Sequence, residues 1–245
     1  MKFTEGYWLL SERTNGQFAS QAYHIEAMEN GLRVVAPTSP VLSRGDTLNR
    51  PTITIEFLAV SPEVISVRAW HYEGYRTGEA RFEKKETTCD AVVTITENEA
   101  VLDAGRVSVH VDRKNWGYSF WADGKLLTSS GFHNLGYVRW DRSVSSMLPQ
   151  DNYMKEHEYT PYMTQDLLLA PGENVYGFGE RFTAFVKNGQ VVETWNEDGG
   201  TASQVAYKNI PFYMTNRGYG VFVDHTGNVS FEVASEKVEY VGFSV

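Results

Sequence analysis

The chain has 245 residues and a mass of 27.7 kDa, a size suited to one large domain or two small ones. Its 22 Lys and Arg against 31 Asp and Glu leave a formal charge of −9, which argues against nucleic acid or an anionic membrane surface as a main partner, since both need clustered cations. The longest apolar runs, such as Leu167 to Ala170, are too short to span a bilayer, and Cys89 is the single cysteine, so no internal disulfide forms.

The opening Met1-Lys2-Phe3-Thr4-Glu5-Gly6 lacks the apolar core of a secretory signal, so the expected compartment is the cytoplasm. Glu29-Asn30-Gly31 has turn chemistry. Thr52 to Phe57 alternates with Ile53, Ile55 and Phe57 on one face, and Ile65, Val67 and Ala69 repeat that pattern in the next block. Val107 to Val111 alternates cleanly. Tyr118 to Trp121 then runs into Ala122-Asp123-Gly124-Lys125, where Asp-Gly between alternating runs predicts a hairpin. The polar stretch from Asp141 to Pro161 reads as a long surface loop, and its one helix-like piece, Glu156 to Thr160, is stopped by Pro161. Lys187-Asn188-Gly189-Gln190 is another turn. Gly220 to His225 and Val229 to Val233 are strands on either side of Thr226-Gly227-Asn228. Glu239 to Val245 alternates like a strand and stops, which predicts a truncated chain whose last strand exposes an open sheet edge.

Aromatics at 13% of the chain, 21 glycines and the near absence of helical periodicity point to strands. Strands at this spacing predict an all-β fold, a single large antiparallel β-sandwich over residues 1–245 with little helix.

Chemical motifs are few. Val175-Tyr176-Gly177-Phe178-Gly179-Glu180 contains Gly-x-Gly but no third glycine and no following helix, so it does not read as a nucleotide loop. The six histidines are scattered without a His-x-x-x-His pair, and no Gly-x-Ser-x-Gly occurs; no cofactor and no metal are expected. The segment Glu193-Thr194-Trp195-Asn196-Glu197-Asp198-Gly199-Gly200-Thr201 stands out, with an aromatic platform, three acids and an amide on one loop. Sugar sites use that mixture: the ring face covers C–H groups, and carboxylates and amides bind hydroxyls. An acidic hairpin with Trp195 tucked into the core would have the same composition.

Residues Val175 to Phe185, Asn188 to Gln190, Glu193 to Thr201 and Ala206 to Val221 together resemble glycoside hydrolase family 31, and specifically the N-terminal domain of its bacterial α-xylosidase branch. Gly6-Tyr7-Trp8-Leu9-Leu10 and the strand rhythm extend the resemblance across the first 170 residues more loosely. The resemblance implies a galactose-mutarotase-like supersandwich preceding a (β/α)₈ barrel, with the barrel holding both catalytic carboxylates of a retaining α-glycosidase. This chain then carries no catalytic residue, is inactive alone, and partners the barrel of its own polypeptide and an α-xyloside or related oligosaccharide. Aromatics such as Trp195, Phe212 and Tyr213 are expected on the barrel-facing surface. The family pattern Asn-x-Asp maps onto Asn196-Glu197-Asp198 and makes Asp198 the substrate-binding residue, with Trp195 and Thr201 as neighbours. Glu197 stands where α-glucosidase relatives often carry Arg. Glu180 and Arg181 are expected to pair at the loop base. Two alternatives stay open, a free-standing carbohydrate-binding module and a mutarotase-like epimerase, and homo-oligomerisation is not excluded.

Overall fold

The computed structural model describes residues 1–6, 9–48, 50–72, 81–84, 87, 89–142, 159–197, 199, 201 and 203–245. Among these, every ladder between named strands is antiparallel, and the one helical element is a 3₁₀ turn at Arg44–Thr47. No helix among them is long and apolar enough to cross a membrane.

The N-terminal half begins with a short hairpin of β1 (Thr4–Glu5) and β2 (Leu9–Leu10), followed by β3 (Thr14–Phe18). A four-stranded sheet then forms from β4 (His24–Met28), β5 (Gly31–Pro37), β6 (Thr52–Ser61) and β7 (Val64–Trp70). A five-stranded sheet follows, built from β8 (Val92–Ile95), β9 (Glu99–Asp103), β10 (Val107–Asp112), β11 (Gly117–Ala122) and β12 (Lys125–Ser130). The alternating residues of β5, β6, β9 and β10 meet in one core, where Leu32, Val34, Ile53, Ile55, Phe57, Leu102, Val109 and Val111 are fully buried. Register explains the packing: Leu32 lies opposite Phe57 and Val34 opposite Ile55, so cross-strand pairs present one apolar face. The Asp123-Gly124 hairpin joins β11 to β12 with both residues at positive φ (50° and 72°), the geometry of a type I′ turn.

One alternation is only half fulfilled. Ile65 and Ala69 are partly buried against this core, but Val67 is 42% exposed, because β7 is an edge strand with a neighbour on one side only.

The C-terminal half continues with β13 (Leu135–Asp141), β14 (Tyr159–Leu168), β15 (Val175–Gly179), β16 (Gln190–Glu193), β17 (Asn209–Thr215), β18 (Gly220–Phe222), β19 (Ser230–Val233) and β20 (Tyr240–Ser244). A six-stranded sheet in the order β16-β19-β20-β14-β13-β3 packs on a three-stranded sheet, β15-β17-β18. Between them Val175, Phe178, Val192, Tyr213, Val229, Phe231, Val233 and Val241 form a second core. Layered antiparallel sheets of this kind make the all-β sandwich that the spacing predicts.

Three expectations are corrected here. The last strand is not an open edge: β20 pairs with β19 on one side and β14 on the other. Tyr213 does not face a partner; it is 0% exposed and packs against Phe178 in the second core, with ring centroids 5.8 Å apart. Pro161 lies inside β14, opposite Arg139, rather than ending a loop. It sits beyond the last residue paired with β20, where its missing N–H leaves no gap in that ladder. Glu156, His157 and Glu158 lie outside the described residues.

Candidate functional site

The segment singled out by composition leaves β16 at Thr194 and returns to β17 at Asn209. Its position is set by an unusual piece of β15. Gly177, Phe178 and Gly179 have φ of 116°, 66° and 89°, and the β15–β17 register jumps between Gly177 and Gly179. Three successive residues at positive φ make a bulge. The bulge turns Phe178 inward, where it is fully buried and packs on Phe231 at 4.7 Å. The Gly-x-Gly signal is therefore a packing device: a Cβ on Gly177 would lie 2.7 Å from Phe212 O, and one on Gly179 2.0 Å from Lys208 O.

Immediately after the bulge comes Arg181. Its guanidinium donates to Glu193 O (2.6 Å), Phe178 O (3.2 Å), Gln204 O (3.3 Å) and Asn209 Oδ1. Burial lowers the pKa of this group, and the neighbouring Glu193 charge opposes that shift. Arg181 thus holds the loop base, as expected, but without Glu180: that carboxylate is exposed and pairs with Lys208 at 3.1 Å. The loop of residues 182–189 is tied down by Lys187, whose ammonium donates to Ala184 O (2.7 Å) and Thr183 Oγ1 (2.9 Å). Burial, with the Arg181 charge, holds its pKa down. Phe182 and Phe185 project outward from this loop.

Asn209 closes the other end. Its Nδ2 donates to Ala206 O (2.7 Å), Trp195 O (2.8 Å) and Asn196 Oδ1 (3.0 Å), and its backbone N–H donates to that same Oδ1 (3.1 Å). Glu197 N–H donates to Ala206 O (3.0 Å) beside an Asn196–Ala206 bridge, so the two limbs of the segment lie side by side. Gly199 fits this closure closely, since a Cβ there would sit 2.4 Å from Val205 O.

Of the three expected binding residues, Trp195 is 56% exposed, which sets aside the core-anchor reading. It lines a pocket of about 220 Å³ together with Arg181, Thr183, Val191, Val192, Glu193, Glu197, Gln204 and Val205. Thr201 is exposed but is not part of that lining. Asp198 lies outside the described residues. Asn196, the first residue of the Asn-x-Asp pattern, accepts two hydrogen bonds from Asn209 and serves the loop's own structure. The composition signal missed Asn209 and Gln204, because their contribution is a tertiary contact with no local pattern.

Chemically the pocket brings together one indole ring, two carboxylates, one carboxamide and the Arg181 guanidinium. Among the described residues no three His, Cys, Asp or Glu side chains converge as a metal site would require. A mutarotase-type acid and base would have to flank one sugar. Among the described residues the closest His–Glu pair, His110 and Glu99, bonds to itself at 2.8 Å on the outer face of the five-stranded sheet and leaves no room for a ring between the two side chains.

Residues 53–232 match the family model of the glycosyl hydrolase 31 N-terminal galactose mutarotase-like domain. The whole chain is 41% identical over 249 residues to alpha-xylosidase XylQ of Lactiplantibacillus pentosus and 35% identical over 254 residues to an alpha-xylosidase of Emericella nidulans. It spans 30% and 32% of the length of these two relatives. In solved structures the fold recurs in the cycloalternan-forming enzyme of Listeria monocytogenes, captured with a pentasaccharide, with a TM-score of 0.70 at 16% identity over 95% of this chain and 20% of that one. It recurs also in a Flavobacterium johnsoniae dextranase, with a TM-score of 0.65 at 19% identity over 94% of this chain and 25% of that one.

Proposed function

We propose a function from one premise: the chain belongs to glycoside hydrolase family 31, as its N-terminal galactose mutarotase-like domain. The domain serves a retaining α-glycosidase acting on α-xylosides, and it lends the segment from Thr194 to Tyr207 to an active site built on a (β/α)₈ barrel of the same polypeptide. In this reading the nucleophile and the acid/base carboxylate belong to the barrel. This chain's part is to bind and orient. Asp198 accepts substrate hydroxyls, Trp195 covers a sugar face, and Thr201 adds a hydroxyl at the loop tip.

The carrying observation is that a chain matching two alpha-xylosidases along its full length presents Trp195 to solvent on a loop fastened from both ends. The outer face of the three-stranded sheet supports the partner. Ile210, Met214 and Phe222 are exposed on one side of β17 and β18, with Phe185 beside Tyr176 at the margin (5.2 Å). Apolar side chains gathered this way mark a contact surface, and the barrel is its proposed occupant.

Asp198→Ala in the longer polypeptide tests the role. A hydrogen bond to a charged group is worth about 1.5–3 kcal/mol, so kcat/KM on an aryl α-xyloside should fall roughly 10- to 150-fold. The melting temperature should hardly change, and the 245-residue chain alone should release no phenolate above buffer. Intact catalysis with a large drop in melting temperature would assign Asp198 to the fold instead.

A further inference from the structure

We infer, on the footing of the loop role proposed above, that Asn209 and Arg181 are positioning residues for substrate binding: a two-residue clamp that fixes the limbs on either side of Asp198. Neither residue need touch substrate. Their effect is to make one loop conformation the resting one, so that a bound sugar does not have to order the loop.

The geometry carries this in three steps. First, apart from Phe178 O on the bulge, every acceptor of the clamp belongs to the segment or to the clamp itself. Arg181 reaches Glu193 O, where the chain enters, and Gln204 O, where it returns. Asn209 reaches Trp195 O and Asn196 Oδ1 on the outgoing limb and Ala206 O on the returning one. Second, the two clamp residues are joined to each other through Arg181 Nη2 and Asn209 Oδ1, so neither limb moves without disturbing the other. Third, both residues stand on fixed ground. Arg181 follows the Gly177–Gly179 bulge, Asn209 opens β17 opposite Gly179, and Glu180 N–H donates to Lys208 O at 3.0 Å between them.

The chemistry is specific to these side chains. A planar guanidinium presents several donors in a fixed fork, which one ammonium cannot reproduce. A carboxamide supplies an acceptor for Arg181 and donors for the loop carbonyls at once; a carboxylate keeps the first and loses the second. Arg181 also lines the same pocket as Glu193 and Glu197, so its cation offsets the repulsion between those two acids.

The test has two arms. In the 245-residue chain, hydrogen exchange is compared for wild type, Asn209→Ala, Asn209→Asp and Arg181→Lys. The Glu197 amide, held on Ala206 O, should exchange about 10- to 100-fold faster in all three variants, while the β19 and β20 amides keep their protection. Unchanged loop exchange, or equal loss in the core strands, overturns the clamp whatever catalysis does. In the parent hydrolase the same variants should raise KM severalfold more than they lower kcat. If the loop loosens, Asp198→Ala is impaired and Asn209→Asp retains wild-type KM, the positioning inference fails while the loop role stands. If Asp198→Ala also retains wild-type kinetics, the loop role itself fails.

Discussion

Gly179→Ala should be among the most damaging single-methyl additions the chain can receive, with a loss of about 2–6 kcal/mol. Two independent costs add at this position. The backbone sits at φ +89°, a conformation that side chains rarely adopt, and the new Cβ would lie 2.0 Å from Lys208 O and 2.9 Å from Ile210 N. Both of those atoms are backbone, so no side chain can swing aside. Relief requires β17 to move at its first residues, which breaks the Glu180 N–H to Lys208 O bond and shifts Asn209. At about 2–4 °C per kcal/mol for a domain of this size, the melting temperature should fall by roughly 10 °C. Gly189→Ala supplies the control: φ is +83° but nothing lies within 4 Å of the added Cβ, so only the conformational cost of about 1–2 kcal/mol remains. Equal losses at the two positions would show that the close approach at Gly179 relaxes without cost.

The contrast between these glycines shows what a single sequence discloses and what it withholds. Period-two alternation is a local signal, and it correctly places Ile53, Ile55 and Phe57 on the buried face of β6 and Val109 and Val111 on that of β10. The Asp123-Gly124 turn is equally local, because two residues at positive φ write their own requirement into the chain. Gly177 and Gly179 carry the same composition cue, but their purpose depends on β17, some thirty residues later. Depth within a sheet is likewise not local: Val67 and Ile55 alternate alike, yet β7 is an edge and β6 is interior. The open edge expected at Glu239 to Val245 fails for that reason, since β14 covers one side of β20. At the candidate site, composition marks Trp195 and the resemblance marks Asp198. Asn209 is one more polar residue in the string until the fold sets its amide between three acceptors.

Lys237→Met is expected to cost about 3–5 kcal/mol at neutral pH, because it leaves a buried carboxylate without its cation. Lys237 Nζ lies 2.5 Å from Asp166 Oδ2, and both side chains are largely covered. The pocket for this carboxylate exists because Gly242, its cross-strand partner, has no side chain: a Cβ there would lie 2.6 Å from Asp166 Oδ1. Burial raises the Asp166 pKa above the ordinary carboxylate range, the Lys237 charge and hydrogen bond pull it back, and Glu236 adds to the rise. Removing Lys237 deletes both restoring causes and moves the carboxyl further up. The sign of the pH dependence follows. A carboxyl whose folded pKa exceeds its unfolded value, near 3.9, takes up its proton more readily in the folded state. The folded variant therefore gains stability as pH falls from neutral through the raised pKa, and the gain is complete once pH is below 3.9. Denaturant midpoints of wild type and Lys237→Met should accordingly converge on acidification, the variant recovering more than wild type does. Asp166→Asn placed in the Lys237→Met background should restore most of the loss at pH 7, since a neutral amide needs no counter-charge. A deficit that is the same at pH 7 and pH 4.5 and survives the Asn replacement would mean that Lys237 stabilises the sheet through the packing of its stem, which spans toward the Tyr240 ring (5.9 Å from Nζ to the centroid), and not through its charge.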